Sequence, residues 1–326
     1  MTHPKISVII PSFNCARYLP EAIESVLAQT CRDHEIIVVN DGSTDNTDQV
    51  VAIYRDRIRY FCQENQGVAS ARNTGIQRAR GSYVCFLDAD DILLPKKLET
   101  QAAFLDQNPN VHIVYSDGLL FRINRYGVEE DRRFSACGLL NRSLGAPDTS
   151  LPLLAIENAF PPVAAMAQLS CVRAVGGFDD ERSLMTTEDW DLWLRLAAKY
   201  NFAYLDEVLA KYRDWEGSTS KAWHRRKSAY MYMVPKFEAS DAYARIPSRI
   251  KSRILFFWGV TYLEYAEPQV AIHRFRVATQ LDAGNLYARS AYLLTRTLGR
   301  KAVVFFHLKR RLFGRRKLPG LWPVQG

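Results

Sequence analysis

Four short apolar runs, each closed by polar turn residues and separated by segments of helical spacing, constrain the fold of this chain more than any other feature. The runs are Ile6–Ile10, Glu35–Val39, Ile58–Phe61 and Tyr83–Leu87, and the helical patterns between them are Tyr18–Ala28, Thr47–Tyr54 and Val68–Ala79. Strands that alternate with helices pair through right-handed crossovers, which predicts an α/β fold with a mainly parallel sheet flanked by helices. Ligands of such sheets bind beyond the carboxyl ends of the strands. Residues 118–160 break the rhythm, and Asn141–Ser150 reads as a long loop. Loops of that length in compact domains tend to serve function. Further on, Arg249–Glu264 and Gln269–Gln280 carry apolar residues at helical spacing, so a C-terminal helical extension is expected.

The 326 residues are 48% hydrophobic and 24% charged. That balance excludes disorder, a collagen-like chain and a disulfide scaffold. Charge is unevenly placed: residues 1–220 sum to −8 and residues 221–326 to +16, which together give the net +8. The shift predicts a boundary near residue 220, between an alternating strand–helix domain over 1–220 and a basic, mainly helical region over 221–326. Apolar stretches such as Lys301–His307 fall far short of the roughly 20 residues a bilayer requires. The N-terminus shows neither a basic leader nor a small-residue cleavage site, and Pro11 interrupts its apolar run, so a cytoplasmic location is expected. The six cysteines form no CxxC pair, and Cys85, inside an apolar run, reads as a buried free thiol. Neither HExxH nor GxSxG occurs.

Three acidic groupings fall where strands should deliver ligand-facing loops: Asn40–Asp45, Asp88-Ala-Asp-Asp91 and Thr187-Glu-Asp-Trp-Asp191. Residues two apart in an extended segment point the same way, so Asp88 and Asp90 could present two carboxylates to one ligand. Paired hard oxygens suit Mg²⁺ or Mn²⁺ completed by waters and phosphates. Asp41 has an equal claim as a turn former, while for Asp45 and Asp191 the role of turn former, cap or paired helix residue is the favoured one.

The order of motifs carries a resemblance. Ser7-Val-Ile-Ile-Pro-Ser-Phe-Asn14, Val39-Asn-Asp-Gly-Ser-Thr-Asp45, Asn65-Gln-Gly-Val-Ala-Ser-Ala-Arg-Asn73, Phe86-Leu-Asp-Ala-Asp-Asp91, Gly176-Gly-Phe-Asp179 and Glu188-Asp-Trp-Asp-Leu-Trp-Leu-Arg195 resemble the successive signatures of family 2 glycosyltransferases with the GT-A fold. The likeness covers about residues 5–220. It implies that Pro11 and Asn14 line a nucleotide pocket, that Asp41 contacts the base or ribose, and that Arg72 lies nearby. It implies that Asp88 touches the ribose or a divalent ion, Mn²⁺ or Mg²⁺, and that Asp90 ligates the ion on the donor diphosphate. Asp189 would be the general base, with Glu188 beside it orienting the acceptor. The donor would be a UDP-, GDP- or dTDP-sugar.

Two departures stand out. Many members carry Tyr-Arg-x-His after the final strand, where the His helps with the ion or diphosphate; here Trp215 falls at that position, leaving Arg213 or Ser218 to compensate. The Gln-x-x-Arg-Trp motif of processive synthases is missing, so addition of one sugar per encounter is expected.

The leaving nucleoside diphosphate gains negative charge that a cation stabilises, and the acceptor hydroxyl must give up a proton. One base opposite one leaving group implies a single displacement with inversion. The transfer of a hexose to a saccharide or lipid-linked acceptor, in surface polysaccharide synthesis, follows from the family likeness. Acceptor choice is expected from residues 118–185 and the C-terminal helices. A dehydrogenase is disfavoured because Pro11–Ala16 contains no glycine, and a nucleotidylyltransferase because no Gly- and basic-rich loop follows the first strand. A non-catalytic adaptor using its helical end remains the alternative.

In the C-terminal region, Trp258–Tyr262, Ala271–Phe275 and Ala278 loosely match a tetratricopeptide hairpin, a spacing that ordinary helix packing also produces. Leu293–Leu312 mixes apolar residues with Arg296, Arg300, Lys301, Lys309, Arg310 and Arg311. Such a segment can lie peripherally on the inner, anionic face of a membrane, or pack on the protein with its charges in water. Nucleic acid is not an expected partner, because interleaved stacking aromatics are missing.

Overall fold

Every residue of Ile6–Ser12 is buried, as expected of a strand covered on both faces. The computed structural model describes residues 3–124, 126–215 and 223–302. Its first elements alternate as the sequence predicts: β1 (Ile6–Ser12), α1 (Leu19–Leu27), β2 (His34–Asp41), α2 (Thr47–Ala52), β3 (Arg59–Gln63), α3 (Val68–Arg78) and β4 (Tyr83–Phe86). There follow β5 (Ile92–Leu93), α4 (Lys97–Gln107), β6 (Ile113–Ile123), β7 (Glu129–Arg133), α5 (Phe134–Cys137), α6 (Pro147–Ile156), β8 (Ala165–Gln168), α7 (Leu169–Ala174), α8 (Glu188–Ala197) and β9 (Phe202–Arg213). The described chain ends with α9 (Trp223–Glu238), α10 (Asp241–Ala244), α11 (Ser248–Glu264), α12 (Pro268–Leu281) and α13 (Leu286–Leu298).

The sheet runs β3-β2-β1-β4-β8-β6-β9-β5, with β7 paired to β6. Its first four strands are parallel. Beyond them it is mixed: β8 is antiparallel to both neighbours, β6 and β9 are parallel, and β5 and β7 pair antiparallel. Pro11 is tolerated in a central strand for a local reason. Ile9 accepts a bond from Leu87, so the backbone of Pro11, two residues on, faces the side where β4 has already ended. Close packing of α3 on β1 requires Gly75, where a Cβ would come within 2.4 Å of Ile9 Cγ2.

Residues 118–160 are more ordered than their composition suggests, holding the end of β6, all of β7, α5 and α6. Glu129–Arg133 is exposed throughout, so β7 lacks the apolar alternation that betrays a strand. Helix α6 opens on Pro147, Asp148 and Thr149, residue types shared by turns and first helical turns.

The chain divides into two compact units, Met1–Lys236 and Phe237–Gly326, so most of α9 belongs with the first, beyond the change in charge near residue 220. Packing explains the placement. Lys236 donates to Asp179 and Asp191, both at 2.5 Å, and Tyr230 lies 6.0 Å from Trp190. In the second unit, α11 and α12 pack with Gly259 against Phe275, where a Cβ would sit 2.4 Å from the ring, and Ala271 and Ala278 are fully buried. No helix among the described residues is long and apolar enough to cross a membrane. The basic segment from Val303 onward, including Lys309–Lys317, lies outside the described residues, as does Ser218.

Candidate active site

The carboxyl ends of β1 and β2 are locked together by side chains. Asn14, left-handed at φ 51°, accepts from the Thr44 N–H at 2.8 Å and from Thr44 Oγ1 at 3.2 Å, while its own N–H donates to Ser43 Oγ at 3.0 Å. Asp45 accepts from the N–H of Ala16 and from Thr47, and these bonds outweigh desolvation and hold its carboxyl below the usual range. Asp41 is buried at the end of β2 and clasps the loop after β3. Its Oδ1 accepts from Gln63 Nε2 (2.8 Å) and the Gln66 N–H (3.0 Å), and its Oδ2 from the Gly67 N–H (2.8 Å) and Asn65 Nδ2 (3.2 Å). Both oxygens are thus spent on the protein, the turn-organising role that the sequence also allowed.

Helix α3 delivers Arg72 to the centre of the site. Its guanidinium is 2% exposed and donates through Nη2 to Asp88 Oδ1 at 2.6 Å and through Nη1 to Glu188 Oε1 at 2.8 Å. One planar cation therefore joins the acidic loop after β4 to the start of α8. Burial pulls the Arg72 pKa down, but Asp88 and Glu188 more than offset it and keep the group charged. Its guanidinium carbon also stands 5.1 Å from the Phe178 ring, in the Gly-Gly-Phe-Asp turn. That turn is stapled to α3 by Asn73, whose Nδ2 donates to the Phe178 carbonyl and whose Oδ1 accepts the Phe178 N–H, each at 2.8 Å.

Asp88, Asp90 and Asp91 crowd the loop beyond β4. Asp90 is pushed upward in pKa by burial and then by Asp88. Asp91 is raised further, by burial and by both neighbours, and its Oδ2 is buried without a partner. Arg213, at the end of β9, braces the loop: its N–H donates to Asp91 Oδ1 (2.9 Å), its Nε to the Asp90 carbonyl (2.8 Å), and its Nη2 to Glu21. Trp215 Nε1 donates to Asp90 Oδ2 at 2.6 Å, and its ring meets Tyr18 edge-on at 5.2 Å. Burial and these same carboxylates push the Cys15 thiol up to about 12, which leaves it a neutral, unreactive group. Hard oxygens for a divalent ion are present at Asp88 and Asp90. Among the described residues no three His, Cys, Asp or Glu side chains surround a common point, so the rest of a shell would have to come from water and a substrate.

The first turn of α8 carries Glu188 and Asp189, both buried. Carboxylates at a helix start are favoured by the helix dipole. Glu188 Oε2 accepts the N–H of Thr186 at 2.8 Å. Thr186 is held at φ 85°, a strained conformation for a β-branched residue that aims this N–H at the carboxylate. Asp189 accepts from Asn158 Nδ2 through Oδ2 and from the Trp190 N–H through Oδ1, both at 2.8 Å. Burial, and after it the charge of Glu188, raise its pKa to about 7, against the lowering pull of Asn158 and Arg72. Asp191 points elsewhere and is paired with Arg195 and Lys236. Sequence reasoning did not find Asn158, which lies in the 118–160 region where the strand–helix rhythm breaks, nor Glu21 and Thr186; a Thr gives no signal of positive φ.

A buried cation bridging two acidic motifs, with hard oxygens in the loop after β4 and a carboxyl of pKa about 7 at the start of α8, is a set of groups that can bind a charged ligand and accept a proton. The family model described as Glycosyl transferase family 2 matches residues 7–127. An uncharacterized glycosyltransferase of Rickettsia typhi is 36% identical over 222 residues, 67% of this chain and 66% of the relative; the chain thus spans just under two thirds of that relative's length. EpsE of Bacillus subtilis, which bears a glycosyltransferase name, is 33% identical over 233 residues, 70% of this chain and 78% of the relative. Among solved structures, S. aureus TarS 1–349 in complex with UDP-GlcNAc has a TM-score of 0.66 at 18% identity, covering 93% of this chain and 92% of TarS 1–349. The mannosyltransferase PcManGT of Pyrobaculum calidifontis, in complex with GDP-Man and Mn²⁺, has a TM-score of 0.56 at 19% identity, covering 96% and 82%. At such identities the two structures speak to the fold, which is of the GT-A type. With the fold, the motif order and the relatives in agreement, the chain belongs to glycosyltransferase family 2.

Proposed function

We propose that this glycosyltransferase moves a single hexose, with inversion, from a nucleoside diphosphate donor to a hydroxyl of a saccharide or lipid-linked acceptor, in the building of surface polysaccharide. The observation that carries the reading is the Arg72 bridge, which holds Asp88 and Glu188 on one guanidinium and so gathers a diphosphate-side and an acceptor-side carboxylate into one site. The two structural neighbours are solved with nucleoside diphosphate sugars, one of them with Mn²⁺, which supports this donor class.

In this reading Asp189 takes the proton of the acceptor hydroxyl as it attacks the anomeric carbon; a carboxyl of pKa about 7 is a competent base at neutral pH. Asn158 and the Trp190 N–H hold its two oxygens, and Glu188, fixed by Arg72 and Thr186, orients the acceptor. Asp88 and Asp90 would hold Mn²⁺ or Mg²⁺. When bound, such an ion supplies Lewis-acid stabilisation of the charge on the departing diphosphate. Asn14 and Asp41 shape the donor side by fixing the loops after β1 and β2, Pro11 would line it, and Arg213 braces the acidic loop. Residues 1–220 would form the catalytic part, and the basic segment beyond Gly299 would touch the inner membrane face.

Thermal-shift measurements with UDP-, GDP- and dTDP-sugars, with and without Mn²⁺, test the donor, since a ligand at 100 times its Kd adds about 2.7 kcal/mol to stability. The anomeric configuration of the product, read by NMR, tests inversion. Silence across the panel would return the chain to the adaptor reading. Truncation after Gly299 should release the protein from membrane fractions; a full-length chain wholly soluble at low salt would refute that contact.

A further inference from the structure

We propose that Trp215 makes ion binding at Asp90 conditional on the donor diphosphate; the inference rests on the reading above. An indole N–H can only donate and cannot ligate a cation. Trp215 Nε1 lies 2.6 Å from Asp90 Oδ2, so it takes one lone pair of that oxygen and competes there with an ion that would use the carboxylate. The ring has a second contact besides this bond. It meets Tyr18 edge-on at 5.2 Å, and Tyr18 also lies under the Arg213 guanidinium at 4.6 Å. Arg213 in turn fixes the backbone of the same acidic loop through the Asp90 carbonyl and Asp91 Oδ1. Asp88 is committed as well, because Arg72 Nη2 holds its Oδ1 at 2.6 Å.

Each of the two candidate carboxylates therefore enters with one oxygen already bonded to a protein donor. Two single oxygens are a poor shell for an ion that seeks six ligands, and a nucleoside diphosphate contributes the oxygens that complete it. Ion and nucleotide should then bind with strong positive coupling, and the coupling is reciprocal. The device would keep the site from loading an ion before the donor arrives. Trp215 acts through Asp90 and is a positioning residue.

The test is the dissociation constant of Mn²⁺, measured by electron paramagnetic resonance on the full-length protein with and without saturating UDP or GDP. Wild type should bind Mn²⁺ roughly 100-fold more tightly with the nucleotide than without it. Trp215→Phe keeps an aromatic ring beside Tyr18 but frees Asp90 Oδ2, and Trp215→His adds an imidazole able to ligate. Both should tighten Mn²⁺ binding to the nucleotide-free protein, and the ratio should shrink to roughly 10-fold in the His variant. A ratio unchanged in Trp215→Phe would overturn the proposal whatever the His variant does, because a merely structural Trp215 would not set it. If instead the wild-type protein binds none of UDP, GDP or dTDP, with or without Mn²⁺, it is the donor reading that fails.

Discussion

Replacing Asp189 by Asn should stabilise the folded protein above neutral pH while abolishing transfer. Asp189 is buried, and its pKa rises from 3.8 to about 7, chiefly through burial and then through Glu188. Between those two pH values the unfolded chain has released a proton that the folded chain retains. Stability therefore falls as pH rises, by about 1.4 kcal/mol per pH unit, and the deficit reaches on the order of 4 kcal/mol once the folded group ionises. A neutral amide carries no such deficit. Its hydrogen bonds can be met locally: the carboxylate now accepts from Asn158 Nδ2, and Asn158 Oδ1 is buried without a partner. Rotation of the Asn158 amide would thus offer the new NH₂ group an acceptor. Urea unfolding of both proteins at intervals from about pH 4 to about pH 8 gives the comparison. The difference should be near zero at the acid end and grow in favour of the variant toward the alkaline end. A pH-independent difference would mean that Asp189 is an ordinary solvated carboxylate, and the assignment of the base would lose its physical ground.

Other outcomes follow from the same contacts. Transfer activity should rise with pH and reach half its plateau in kcat/KM at about 7, because the base must be deprotonated; a profile flat from about pH 5 to about pH 8 would exclude Asp189 from that role. Arg72→Met leaves Glu188 buried without its cation and should cost about 3 kcal/mol in unfolding free energy. It should also move the acidic limb of the activity profile upward, since Arg72 is one of the groups that lower the Asp189 pKa. Lys97 is fully buried on α4, where it donates to Gln101 Oε1 at 2.6 Å, and burial lowers its pKa to about 8. The unfolded lysine therefore holds its proton at pH values where the folded one has lost it, so wild-type stability should rise between about pH 8 and about pH 10.5. Lys97→Met should remove that rise in a denaturation series.

Much of the fold was legible because its signals are local. The first seven elements fall within a few residues of their expected places, and α11 and α12 within one, since apolar period and turn chemistry are properties of short windows. The weakest part of the reading was 118–160, where an exposed edge strand and a helix opening on Pro-Asp-Thr carry no distinctive period. Among the site residues, motif order singled out Asp88, Asp90, Glu188 and Asp189, but their types alone did not say which carboxylates are spent on the protein. Asp41, with both oxygens bonded to the 63–67 loop, shows the difference.

By itself, the amino-acid sequence determined the alternation of strand and helix, the acidic loops at the strand ends and the family to which the chain belongs. Only the tertiary structure decided that Arg72 meets Glu188 across 116 residues, that Asn158 holds Asp189 and that Trp215 caps Asp90 across 125. The reason is physical: periodicity and turn preference act over a few residues, whereas a partner a hundred residues away is chosen by sheet order and by the demand that buried charges find counter-charges.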